Sequence, residues 1–170
     1  MKLKSFEAIV GVLNEAKVRY LVVGGLAVNA HGYSRFTNDV DLVVRLTEGD
    51  ILGAFAALGK LGYSPRVPIT AREFANPTVR RKIIAEKNML VLQMWSDKHL
   101  ETPVDIFVRE PFAFVDEYRS AFVDKLPAGL VVKFVSLNTL IRLKRKAGRA
   151  MDKIDVEHLV ALQKLKPSKS

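Results

Sequence analysis

Apolar residues recur at helical spacing at Phe6, Ile9, Val10 and Leu13, so residues 4 to 16 predict an amphipathic first helix. The run Tyr20-Leu21-Val22-Val23 is short, apolar and β-branched. It ends at Gly24-Gly25 and predicts a buried strand. "GLAVNAHG" then suits about two helical turns, stopped by Gly32. Val40 to Val44 predicts a second strand. Thr47 has the chemistry of an N-cap, with Asp50 three residues on, for a helix carrying Ile51, Leu52, Phe55 and Leu58 toward a core until Gly62.

The pattern is weaker from 63 to 88, where three prolines and the run Arg80-Arg81-Lys82 predict loop with room for one strand. "MLVLQMW" (89–95) and "PVDIFV" (103–108) predict strands joined as a hairpin or meander. "AFVDKLPAGLVVKFVS" divides at Pro127-Ala128-Gly129 into two more. Ser136 caps a helix ended by Gly148, and Asp152 is expected to cap a last helix, "KIDVEHLVALQKL". The order is helix, strand, helix, strand, helix, then mostly strands, then two helices. The expected fold class is therefore α/β (α+β), a mixed sheet flanked by helices with a small C-terminal helical unit. We expect a core over 1–110 and a C-terminal strand hairpin with helices over 111–170, packed together as one compact domain.

Two positions break the apolar pattern of the strands. Asp39 and Asp41 flank Val40 at the start of the second strand, and residues two apart point to the same face. Two carboxylates about 7 Å apart along a strand repel unless a positive charge lies between them. A hard divalent cation prefers oxygen ligands and suits such a pair. Asp105 sits among apolar neighbours in "PVDIFV", where an unpaired carboxylate is costly, and it is the candidate third ligand. Gly24-Gly25, between a strand and a helix, lets backbone come close to a phosphate. Arg35 and Thr37 lie just before the acids, within reach of the same phosphates.

Strand, Gly-Gly, helix, then Asp39-Val40-Asp41 and a later strand aspartate together resemble the nucleotidyltransferase superfamily that includes DNA polymerase β. The string "GGLAVNAHGYSRFTNDVDL" looks like the small bacterial members related to the AbiEii toxins of type IV toxin–antitoxin systems. "LIRLKRKAGRAMDKIDVEHL" adds to this, with Lys144, Asp152 and Asp155 at the matching positions. The two stretches bracket the chain from about 20 to 160. One departure is Asn38, which stands where the family usually has glycine. The resemblance implies transfer of a nucleoside monophosphate from an NTP to an acceptor hydroxyl. It implies two Mg²⁺, with Mn²⁺ as an alternative, held by Asp39, Asp41 and Asp105. Asp105 would also help activate the acceptor. Gly24 and Gly25 would carry the triphosphate, and Lys144 would contact the triphosphate or the leaving pyrophosphate. Asp152 reads as a cap, and Asp155 as a partner for Arg149 or Lys144.

Composition narrows the partners. The 170 residues carry a formal charge of +9, clustered at 80–82, 142–149 and 164–169, which favours an anionic partner. The expected acceptor is RNA, such as the 3′ end of a tRNA, or a protein hydroxyl, with an antitoxin as a further partner. No apolar run reaches the roughly 20 residues of a membrane span, so no membrane partner is expected. The absence of cysteine fits a reducing compartment, and we expect a cytoplasmic protein. The alternatives are a non-catalytic nucleotide- or RNA-binding module on the same fold and, third, antibiotic modification. A polycationic drug would need an acidic pocket, which a +9 chain does not suggest. His31, His99 and His158 read as packing residues, and Trp95, Phe107, Phe112 and Phe114 as core.

Overall fold

The computed structural model describes residues 1–165. Lys166 and Lys169 of the basic tail lie outside the described residues. The chain runs α1 (Leu3–Glu15), β1 (Tyr20–Val22), α2 (Gly24–Ala30), β2 (Val40–Val44), α3 (Glu48–Lys60), β3 (Ser64–Pro65), α4 (Ala71–Ala75) and α5 (Pro77–Lys87). It continues through β4 (Val91–Trp95), β5 (Val104–Phe107), α6 (Phe114–Arg119), β6 (Phe122–Lys125), β7 (Val131–Phe134), α7 (Leu137–Ala147) and α8 (Ala150–Leu165). The strands form one mixed sheet in the order β3-β4-β5-β2-β1-β7-β6. β2 and β5 are parallel neighbours, and β1 and β7 are the other parallel pair; the remaining pairs are antiparallel. The C-terminal hairpin β6–β7 thus extends the sheet begun by the N-terminal half. No helix among the described residues is long and apolar enough to cross a membrane.

Phe6, Ile9, Val10 and Leu13 of α1 are all buried, as their spacing requires. β1 is buried on both faces, and Val40, Leu42 and Val44 of β2 bury the face opposite Asp41. Thr47 caps α3 by accepting from Asp50 N, while the Asp50 carboxylate takes a bidentate pair from Arg19 (2.7 and 3.3 Å). That cation and the Thr47 hydroxyl hold Asp50 below the usual carboxylate range against the opposing cost of burial.

The stretch 63–88 is not loop. It holds two-residue β3 and the helices α4 and α5. The prolines that read as breakers are partly starts: Pro77 is the first residue of α5, where no N–H is needed, and Asn76 caps it by accepting from Thr78 N. Thr70 and Glu73 form a reciprocal capping box for α4. Arg80, expected in an anion-facing run, is instead buried and donates from Nη1 to the last carbonyls of α4, Phe74 O (2.6 Å) and Ala75 O (2.9 Å).

The helix α6 has no periodic signal in its six residues. Buried Phe114 and Glu117 hold it in place, and the Glu117 carboxylate accepts from Ser136 N and from Thr139 Oγ1, both at 2.6 Å. That carboxylate therefore sets the first turn of α7, alongside the Ser136 cap. Gly148, at φ +65°, ends α7 in the left-handed conformation that admits glycine most easily. Two further expectations change. Asp152 lies inside the first turn of α8 rather than before it. Trp95, expected in the core, sits half-exposed at the end of β4, while Phe114 is buried.

Candidate active site

The register of three strands assembles the acids. Asp41 of β2 pairs directly with Asp105 of β5, which pairs directly with Gln93 of β4, so the three side chains share one face of the sheet. Asp39 lies two residues before Asp41. One carboxylate oxygen from each of Asp39, Asp41 and Asp105 falls within 4.8 Å of the others, and all three residues are half-buried.

The Gly-Gly turn is shaped by these acids. Gly24 has φ +64°, and a Cβ there would lie 1.9 Å from Asp41 Oδ2. A Cβ on Gly25 would lie 2.5 Å from Thr37 Oγ1. The glycines thus leave room for the Asp41 carboxylate and the Thr37 hydroxyl to press against the start of α2. Thr37 Oγ1 in turn reaches Asp39 Oδ1 at 3.4 Å.

Burial, reinforced by the charges of Asp39 and Asp105, pushes the Asp41 carboxyl up to about 7, although Lys144 and Arg149 pull it the other way. Burial also raises Asp105, against a hydrogen bond from Gln93 that favours its charged form. The cluster is a set of crowded carboxylates that the protein's own cations do not neutralise. An all-oxygen, acidic donor set of this kind fits Mg²⁺ or Mn²⁺, with Asp39, Asp41 and Asp105 as the residues that could hold it.

Of the two cations expected at the phosphates, Arg35 lies at the Gly-Gly turn, its Nη1 3.3 Å from where a Gly25 Cβ would stand, and both cations are tied into ion pairs. Arg35 makes a bidentate pair with Asp155 (Nε–Oδ1 2.7 Å, Nη2–Oδ2 2.9 Å) and donates from Nη1 to Phe36 O (2.9 Å). Lys144 Nζ lies 2.9 Å from both Asp152 Oδ1 and Asp155 Oδ2, in a buried setting. Asp152 also accepts from Arg149 Nε (2.8 Å) and from Arg149 N. Asp155 therefore pairs with Lys144, as its spacing suggested, and with Arg35 rather than Arg149. Sequence reasoning missed this link because Arg35 and Asp155 are far apart in the chain. It named Arg149 only as a partner for Asp155, yet that side chain is 77% exposed and feels the charges of Asp41 and Asp39. Gln93 gave no sequence signal; only the strand register puts it beside Asp105.

The histidines pack. His31 Nε2 lies 2.8 Å from Val135 O, His99 stacks on Tyr63 and meets Ser5 Oγ, and His158 stacks on Tyr33.

With this geometry in view, the fold is that of the nucleotidyltransferases. A lincosamide antibiotic adenylyltransferase, LnuA, solved with lincomycin bound, aligns over 94% of this chain and 96% of its own at TM-score 0.58 and 12% identity. ANT(2″)-Ia, solved in complex with adenylyl-2″-tobramycin, aligns over 98% of this chain and 91% of its own at TM-score 0.59 and 14% identity. At such identities the likeness is one of fold. Neither a known sequence-family profile nor a curated protein sequence matches the chain.

Proposed function

We propose that the protein transfers a nucleoside monophosphate from an NTP to an acceptor hydroxyl. The observation that carries this is the convergence of Asp39, Asp41 and Asp105 within 4.8 Å beside the Gly24-Gly25 turn. Divalent ions held by the three carboxylates would supply the positive charge that binds the triphosphate and stabilises the transition state. Gly24 and Gly25, free of Cβ atoms, let Asp41 and Thr37 lie against the head of α2, and this turn beside the acids is the segment we assign to the triphosphate. Asp105, pushed above the ordinary carboxylate range, is suited to take the proton of the acceptor hydroxyl. The acceptor oxygen then bonds to the α-phosphorus, the bond to the bridging oxygen breaks, and pyrophosphate leaves. Arg149, exposed next to the acids, is placed to meet negative charge on the phosphates. Arg35 locks α8, through Asp155, to the loop that carries Thr37 and Asp39, and Lys144 ties α7 to α8 through Asp152 and Asp155.

For the acceptor we favour RNA, with a protein hydroxyl as the alternative. Arg142, Arg145, Lys146, Arg149 and Lys153 are exposed along α7 and the start of α8, and such cations supply sequence-independent affinity for phosphates. The resemblance to AbiEii-related proteins makes a toxin-like role, with an antitoxin partner, the matching biological setting. The two fold neighbours favour a second reading, a small antibiotic acceptor; the excess of exposed cations suits a polycationic drug poorly.

The test incubates the purified protein with Mg²⁺, each labelled NTP in turn, and total RNA, cell lysate, lincomycin or tobramycin, beside an Asp41→Ala variant. Label in a defined RNA or protein band that the variant lacks supports the reading. Labelled drug alone replaces the acceptor. Mg²⁺-dependent nucleotide binding without label in any arm leaves a non-catalytic module on this fold.

A further inference from the structure

Asp105 is approached from the side away from Asp41 by a two-residue chain that crosses two strands. Arg66, immediately after β3, donates from Nη1 to Gln93 Oε1 at 2.7 Å. Gln93 Nε2 donates to Asp105 Oδ1 at 3.2 Å. The Arg66 main-chain N–H also donates to Gln93 O at 2.9 Å, which ties the two residues together at the backbone. An arginine only donates and an ionised carboxylate only accepts, so a glutamine between them has one satisfied orientation: oxygen toward Arg66, nitrogen toward Asp105.

The intervening amide matters because a direct arginine pair would do something different. At Asp155 the bidentate contact from Arg35 neutralises the carboxylate. Such a contact at Asp105 would compete with any cation the cluster binds. A neutral amide orients the carboxylate while leaving its charge available. Supporting contacts of this sort fix ligands for metal binding and are sensitive to substitution.

We propose that Arg66 and Gln93 form a positioning pair that orients Asp105 within the three-carboxylate cluster, with Gln93 in contact and Arg66 holding Gln93. This rests on the nucleotidyltransferase reading of the site. The experiment measures Mn²⁺ affinity by electron paramagnetic resonance, and kcat and KM for the NTP, in the wild type, Gln93→Leu, Gln93→Asn, Arg66→Ala and Arg66→Lys. Gln93→Leu is expected to weaken Mn²⁺ binding and lower kcat by about 10-fold each, with KM for the NTP nearly unchanged. Arg66→Ala moves both in the same direction by less, and Arg66→Lys restores part of the loss. Gln93→Asn keeps the amide but draws it back by one methylene; it should match Gln93→Leu, and it decides the question if the leucine variant unfolds. Folded Gln93 variants with wild-type Mn²⁺ affinity and kcat overturn the pair alone. A wild type that neither binds Mn²⁺ nor turns over overturns the reading of the site, and the pair with it.

Discussion

The fold treats its two acidic clusters in opposite ways. Asp152 and Asp155, in α8, are almost fully buried, and Lys144, Arg35 and Arg149 reach them at 2.7 to 2.9 Å. Asp41 and Asp105, on the sheet, and Asp39, just before β2, crowd together with a neutral amide at Asp105 and a hydroxyl at Asp39. In the first cluster the chain supplies the counter-charge, so the ion pairs join the C-terminal helices to the loop before β2. In the second, burial and the charges of Asp39 and Asp105 outweigh the pull of Lys144 and Arg149, so Asp41 rises to about 7. A buried acid that is paired belongs to the architecture; one left crowded is a place for a cation from outside.

Asp41→Asn should separate the two roles most sharply. Transfer activity is expected to fall by about 10³-fold or more, because a metal ligand is worth several kcal/mol in the transition state. The metal-free protein should meanwhile become more stable, since a crowded charge is removed. A thermal melt without divalent ions checks this, and a clear loss of stability would break the contrast.

Asp155→Asn should do the reverse. Removing one member of a buried ion-pair network leaves Arg35 without its carboxylate, while Lys144 keeps Asp152, and costs about 3–5 kcal/mol, read by urea denaturation. Any fall in activity of the folded fraction should be smaller than for Asp41→Asn.

The pH response should distinguish the clusters in a single protein. With Asp41 raised to about 7 from its ordinary 3.8, the folded chain holds more protons than the unfolded chain between those values. Stability from this group is therefore greatest at the acid end of the window and falls as pH rises toward 7, by at most about 4 kcal/mol. Asp50 and Asp152, held low by their cations, act with opposite sign but only below about pH 4. Saturating Mg²⁺ should flatten the slope from pH 5 to 8. A slope that Mg²⁺ leaves unchanged would remove the cation site from the comparison.

Gly24→Ala gives the smallest effect on stability, about 1–3 kcal/mol from the positive φ and the contact with Asp41. Its value lies in displacing Asp41 without changing any charge. The thermal shift on adding Mg²⁺ should shrink along with activity, whereas Gly129→Ala, also at positive φ but in open space, should keep the full Mg²⁺ shift.

Much of the fold was legible along the chain because its signals are local. The spacing of Phe6, Ile9, Val10 and Leu13, the caps at Thr47 and Ser136 and the stop at Gly148 each act within a turn or two of helix. The illegible elements depend on distant partners or on a dual-use residue. Pro77 serves a helix start as well as a break, and α6 is stabilised by Glu117 reaching Ser136 and Thr139 in another element.

At the site, sequence determined the identity of the acids, because Asp39 and Asp41 stand two apart at the start of β2 and an aspartate among apolar strand residues needs a reason. Only the tertiary structure decided which acids are neutralised. The pairing of Arg35 with Asp155, and of Gln93 rather than an arginine with Asp105, depends on strand order and on where α8 docks. Electrostatic pairing acts over a few ångströms in space and is indifferent to distance along the chain, so no local pattern could announce it.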